Sequence, residues 1–308
     1  MRLVTRADFD GLCCAAMMLQ AGIIDSFLYA HPKDVQDGKI AVGPEDVLAN
    51  LPFVEGAGMW FDHHVSESAR LRQQTHAFKG LRGAIKKAPS AARVVWDYFG
   101  GTRRFDARFE PMLDAVDRVD AAELTAEEIE HPSGWVLVGL LMDPRTGIGR
   151  RPFAKDHWAF LREMVDLVQR LSLEDLLEHP DVKERVDLYF AEAEPFRHML
   201  REHTEDFGDV VVTDLRTVTD IHVGNRFLVY ALYPACKASM LLLHSRTVGK
   251  DVVTAGHSIL NRGCRANVGR IMLDFGGGGH AAVGSCQVDP EETAGVVQEI
   301  LNRLLNEC

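Results

Sequence analysis

Arg2-Leu3-Val4-Thr5-Arg6-Ala7-Asp8-Phe9-Asp10-Gly11 begins as a short apolar run and ends in an acidic turn closed by glycine. Residues 2–5 read as a buried strand and Leu12 to Gln20 as the helix after it, so Asp8-x-Asp10-Gly11 occupies the turn between them. The same alternation continues downstream. Phe27-Leu28-Tyr29-Ala30, Asp46-Val47-Leu48-Ala49 and Met59-Trp60-Phe61 are strand candidates separated by Gly- and Pro-bearing turns. Pro89-Ser90 opens a helix running through Ala91 to Trp96, with Ser90 as its N-cap. Helical periodicity follows through residues 110–128, 133–142, 156–172 and 183–203. Strands alternating with helices predict an α/β fold built on a parallel sheet with helices on both faces. Ligands of such sheets bind just beyond the carboxyl ends of the strands.

Past a charged stretch at residues 173–207, read as a helical connection, the pattern changes. Val210-Val211-Val212, Phe227-Leu228-Val229-Tyr230, Met240-Leu241-Leu242-Leu243 and Val252-Val253-Thr254 read as strands. A helix from Asn267 to Phe275 leads into Gly276-Gly277-Gly278-Gly279-His280, and residues 291–306 form a last amphipathic helix. The chain of 308 residues is long enough for two cores. The expected division is a first domain over 1–190 and a smaller α/β domain over 205–308.

The net charge of −11 repels a polyanion over most of the surface and argues against binding of long nucleic acid. A small phosphorylated ligand remains compatible, because Ser245 to His280 holds Arg246, Lys250, Arg262, Arg265 and Arg270 against only Asp251 and Asp274. No apolar run reaches the roughly 18 residues of a membrane span. The N-terminus carries too short an apolar stretch for a secretory signal, so cytoplasm is the expected location. The six cysteines form neither a CxxC pair nor a ladder of spacings, which argues against a zinc ribbon or a disulfide scaffold.

Asp62-His63-His64 follows the apolar strand that ends in Trp60-Phe61. Alone, an Asp-x-Asp-Gly turn is structural and paired histidines are incidental. Together, carboxylates and imidazoles after buried strands suit Mn²⁺ and related ions, and the absence of thiolate argues against structural zinc. Hydrolysis of a phosphate ester needs that inventory: a metal to acidify a water and positive charge against the developing oxyanion. The glycine run leaves backbone amides uncovered by side chains, so the chain there can bend closely around an anion.

These motifs, in this order and near both ends of the chain, resemble those of the DHH phosphoesterases that carry a C-terminal DHH-associated domain, a group of nanoRNases, bisphosphate phosphatases and exopolyphosphatase-like enzymes. The resemblance implies a metal centre of Asp8, Asp10, Asp62, His63 and Asp120, with Asp117 as the fallback for Asp120. Asp62, His63 and His64 would carry the catalysis, with His64 contacting the scissile phosphate or orienting a ligand. It further implies substrate binding by Ser258, Arg262, Asn267, Gly276, Gly277, Gly278, Gly279 and His280. The implied cofactor is Mn²⁺, with Mg²⁺ as the alternative ion. The implied partner is a small phosphorylated molecule or short oligonucleotide, with self-association as a homodimer left open. Two positions depart from the pattern. Arg6 stands near where relatives carry a histidine, and Asn50 stands in Ala49-Asn50-Leu51-Pro52 where relatives carry a bridging aspartate, Asp46 being the other candidate. One firm metal site and a weakened second are therefore expected. The rival reading is a metal-poor family member that only binds a nucleotide or polyphosphate.

Overall fold

The computed structural model describes residues 1–63, 82–245 and 247–308, and the chain divides into two compact units. Unit 1 comprises residues 1–123 and 132–187, and unit 2 comprises residues 124–131 and 188–308. His64 and Arg246 lie outside the described residues.

Unit 1 is built on five parallel strands, β1 (Arg2–Thr5), β2 (Ser26–Tyr29), β3 (Asp46–Ala49), β4 (Met59–Asp62) and β5 (Arg82–Ile85), in the order β2-β1-β3-β4-β5. Its helices are α1 (Phe9–Gln20), α2 (Pro32–Gln36), α3 (Ala91–Phe99) and α4 (Glu110–Asp120) and, beyond α5 (Ala126–Glu130) of unit 2, α6 (Gly134–Met142), α7 (His157–Arg170) and α8 (Leu173–Glu178). The central strands β3 and β4 are buried at every position, as a parallel sheet covered on both faces requires. Register makes this concrete. Val4, Leu48 and Trp60 lie side by side across three strands and pack with Val35 of α2. Phe61 points the other way, its ring 5.1 Å from Tyr98 and 5.7 Å from Phe99 of α3. The chain leaves β1 toward β2 on one side, and β3 lies on the other. The carboxyl ends of β1 and β3 thus flank the crevice where doubly wound sheets bind ligands.

The helix α9 (Pro180–Glu202) runs from the end of unit 1 into unit 2. Unit 2 holds a six-stranded mixed sheet of β6 (Thr204–Asp206), β7 (Val210–Asp214), β8 (Ala238–Ser245), β9 (Lys250–His257), β10 (Gly278–His280) and β11 (Val283–Val288), ordered β10-β11-β9-β8-β7-β6. Strands β8, β9 and β11 alternate buried and accessible residues, so one face forms the core. That face packs on Ile271 and Met272 of α11 (Val268–Leu273) and on Ile300, Leu301 and Leu304 of α12 (Thr293–Glu307).

One expectation changes here. Phe227-Leu228-Val229-Tyr230 is not a strand: α10 spans Leu228–Leu232, entered through the Phe227 amide donating to Asn225 Oδ1 at 3.0 Å. A short, continuous apolar run buries equally well in either form, so its pattern does not decide. In the glycine run, Gly278 and Gly279 belong to edge strand β10. In addition, Cys264 and Cys308 form a disulfide that their spacing does not signal, while Cys13, Cys14, Cys236 and Cys286 are free and buried. Among the described residues no helix is long and apolar enough to cross a membrane.

Ser90 ties α3 to its neighbours. Its Oγ accepts the Arg93 amide at 3.0 Å and donates to Asp117 Oδ1 at 2.6 Å. Ser90→Ala is expected to cost about 1–2 kcal/mol of stability, read as a lower urea midpoint. An unchanged midpoint would contradict this role.

Candidate metal centre

Asp8 caps α1, its Oδ1 accepting the Gly11 amide at 2.9 Å. Position 11 requires glycine, because a Cβ there would lie 2.0 Å from the Arg6 carbonyl oxygen. Asp10, in the first turn of α1, is 2 % exposed. Its Oδ2 accepts the Ala91 amide at 3.0 Å and its Oδ1 the Ala92 amide at 2.7 Å. These are the first two amides of α3, which have no partner within their own helix. Asp10 is therefore the anion seated on a helix N-terminus, and its oxygens retain further lone pairs.

His63 follows the end of β4, where Asp62 Oδ1 accepts the His63 amide at 2.8 Å. His63 Nδ1 lies 3.2 Å from the Ala88 carbonyl oxygen, which can only accept, so Nδ1 carries the hydrogen. In the neutral ring Nε2 is then an acceptor, yet it faces Asp120 Oδ2 at 3.1 Å, which is also an acceptor. A proton or a cation between them resolves the conflict. Asp10, His63 and Asp120 each offer a ligand atom, all within 4.8 Å of one another. Burial pushes the Asp10 carboxyl well above the usual carboxylate range, and Asp120 and Asp8 push it further. Bound cations relieve such crowding of like charges.

Asn50 supplies an independent sign of a cation. It sits just past β3 with a left-handed φ of 55°, a conformation that Asn tolerates better than most residues. Its Nδ2 points at both oxygens of Asp8 at 3.4 Å, and its Oδ1 is buried with no hydrogen-bond partner. Leaving such an oxygen unsatisfied costs about 1–3 kcal/mol, a cost that a cation nearby would offset. Carboxylates, one imidazole and an amide oxygen fit a hard divalent ion such as Mn²⁺ or Mg²⁺. Thiolate ligation does not fit. Cys14 Sγ lies 3.9 Å from Asp10, and burial, reinforced by Asp10, pushes that thiol well up.

Geometry separates the alternatives among the acids. Asp120 reaches His63, whereas Asp117 accepts from Ser90 and from Arg93 Nε at 2.7 Å. Asp46 is held at the opposite end of β3 by Arg2 Nε and the Gly43 amide, both at 2.8 Å. Arg6 Nε lies 3.2 Å from Asp8 Oδ2. Arg145 is a cation that sequence reasoning misses. Burial opposes its charge, but Asp143 beside it, with Asp8 and Asp120 beyond, holds its pKa above the usual value. Only its place in the fold, after α6, reveals this. A second cluster in unit 1, Glu163, His179 and Asp181, is already answered by Lys155, which donates to Glu163 and Asp181.

The candidate substrate residues lie in unit 2. Ser258 Oγ accepts the amides of Leu260 and Asn261, Asn267 caps α11 through the Arg270 amide, and Arg262 Nε donates to the Ile259 carbonyl. Gly276 has φ 73°, and the Gly276 and Gly277 amides close the end of α11 on the Leu273 and Met272 carbonyls. This is a Schellman-type stop, so two of the four glycine amides are already used. Gly277 and Gly279 are required by close approach, since a Cβ would lie 2.1 Å from the Ser285 oxygen and 2.3 Å from the Val283 oxygen, respectively. His280 is exposed at the end of the edge strand.

No family model matches the chain, and no curated protein matches it. Solved structures do. The pGpG-specific phosphodiesterase PggH from Vibrio cholerae shares 38 % identity and a TM-score of 0.84, covering 100 % of this chain and 99 % of its own. An exopolyphosphatase-related protein from Bacteroides fragilis shares the fold at 11 % identity and a TM-score of 0.51, over 98 % of this chain and 91 % of its own. RecJ in complex with Mn²⁺ from Thermus thermophilus does so at 15 % identity and a TM-score of 0.52, over 99 % of this chain and 52 % of its own. An end-to-end match at more than a third identity means that the chain belongs to the DHH family of phosphoesterases.

Proposed function

We propose that this protein is a phosphodiesterase of short linear dinucleotides, with pGpG as its substrate and Mn²⁺ as its ion. The metal residues in this reading are Asp8, Asp10, Asp62, His63 and Asp120. The observation that carries it is the Asp10–His63–Asp120 cluster, in a chain matched end to end by a pGpG phosphodiesterase. The net charge of −11 agrees with a short substrate over a long strand.

A bound divalent ion supplies Lewis acidity toward water and the phosphoryl oxygens. The chain's own residues supply the rest. Asp10, held by two helix amides, keeps its remaining lone pairs aimed without reorganisation. The Ala88 carbonyl fixes the His63 ring so that Nε2 faces the centre. Arg145 is proposed to neutralise charge on the phosphate. Arg6 already balances one edge of Asp8, which favours one firm ion over two. His64 is proposed to contact the scissile phosphate. In unit 2, Ser258, Arg262, Asn267, the glycines 276–279 and His280 are proposed to hold the substrate, Arg262 by its bidentate fork.

Three measurements test this reading. With added Mn²⁺, turnover of pGpG should exceed that of polyphosphate and of ten-residue RNA by at least tenfold; preferred cleavage of either competitor would contradict it. Asp10→Asn should weaken Mn²⁺ binding by at least tenfold in calorimetry, while Asp114→Asn, which alters only an exposed partner of Arg93, should not. Equal losses in both variants would displace the centre. His280→Ala should raise KM with metal content intact, and a loss of metal would mean that His280 belongs elsewhere.

A further inference from the structure

A cavity of about 480 Å³ lies within unit 1, with Asp8, Arg6, Arg150, His157 and Trp158 among its walls. Its size falls in the range of about 300–1,000 Å³ usual for small-molecule sites. Because Asp8 belongs to its wall, the cavity is continuous with the acidic centre. Apart from Asp8 and Arg6, its walls have no role in the phosphate chemistry proposed above.

The walls say what fills it. Trp158, in the first turn of α7, is 55 % exposed. Such a side chain is ordinarily well buried, and an indole on a cavity wall is a stacking platform for a planar ring. Arg150 lies on the same wall, and its guanidinium has no ion-pair or hydrogen-bond partner among the described residues. His157 Nδ1 is buried with no partner either. The imidazole cannot turn away to find one. It stacks on Phe160 at 6.3 Å and abuts Gly149, where a Cβ would lie 2.6 Å from the ring. Underneath, the fully buried Arg185 sits over Phe160 at 3.9 Å and Phe153 at 4.1 Å and donates to the Lys155 carbonyl at 2.7 Å. The wall is thus preformed, and Arg150 on it lacks a partner among the described residues.

We propose that this cavity is a guanine subsite in which the base stacks on Trp158 while Arg150 forks onto O6 and N7. Guanine presents two acceptors on that edge and matches the five-donor guanidinium. Adenine presents N7 beside a donor amino group, which an arginine cannot accept. The inference rests on the reading of the chain as an enzyme for a guanine dinucleotide, and it names the residues that would confer that preference.

The test is calorimetric titration of the intact, metal-free protein in EDTA with guanosine and with adenosine. Guanosine should bind at least tenfold more tightly. Trp158→Ala should weaken guanosine about tenfold, as expected from the loss of one aromatic stack, and Trp158→Phe should recover most of that loss. Arg150→Gln should bring guanosine down to the affinity of adenosine. Melting midpoints verify that the variants are folded. Equal affinities for the two nucleosides in the unaltered protein, or guanosine binding indifferent to both substitutions, would overturn the subsite. Hydrolysis is read separately. If guanosine binds with this dependence but pGpG is not cleaved, the subsite stands and the substrate reading falls. If pGpG is cleaved while both substitutions leave guanosine binding untouched, the subsite falls and the substrate reading stands.

Discussion

The carboxylate of Asp10, bonded to the first two amides of α3, is the constraint on which the rest of unit 1 depends. One side chain both satisfies a helix terminus and places negative charge beside Asp8 and Asp120. Burying that charge is expensive unless it is paired. Two amide donors cover part of the cost, and the remainder calls for a cation. Folding and function are coupled at this point, because the bonds that fix α3 also hold a metal ligand in place.

Topology explains why these groups meet. In the order β2-β1-β3-β4-β5, the carboxyl ends of β1 and β3 are neighbours although 42 residues separate Asp8 from Asn50. The next strand, β4, delivers Asp62 and His63 to the same edge. Asn50 turns into the left-handed region there and aims its amide nitrogen at Asp8, leaving its oxygen unpartnered in the interior. A neutral side chain at that position carries less charge than an aspartate would. The nearby guanidinium of Arg6 reduces the acidity of the cluster further.

Much of the parallel sheet is legible in the sequence, because its strands are short apolar runs bounded by glycine and proline. Ser90 announces the start of α3 by its type and place. The strand-like Phe227-Leu228-Val229-Tyr230 misleads because burial on several sides erases periodicity. For the site, motif spacing points to Asp8, Asp10, Asp62 and His63 but does not choose among the acids of α4. Choosing there requires knowing that Arg93 and Ser90 occupy Asp117 while His63 reaches Asp120. Arg145 and the wall formed by Arg150, His157 and Trp158 carry no local signature, since only packing brings them to Asp8. The glycine run is legible as a motif but not as a structure: half of its amides end a helix, and its close contacts belong to an edge strand.

The central claim is that Asp10, His63 and Asp120 share one divalent ion. Anomalous scattering from crystals grown with Mn²⁺ addresses it most directly. The account predicts a strong peak within bonding distance of all three side chains. A map with no peak there, or with manganese bound only at other carboxylates, would contradict it.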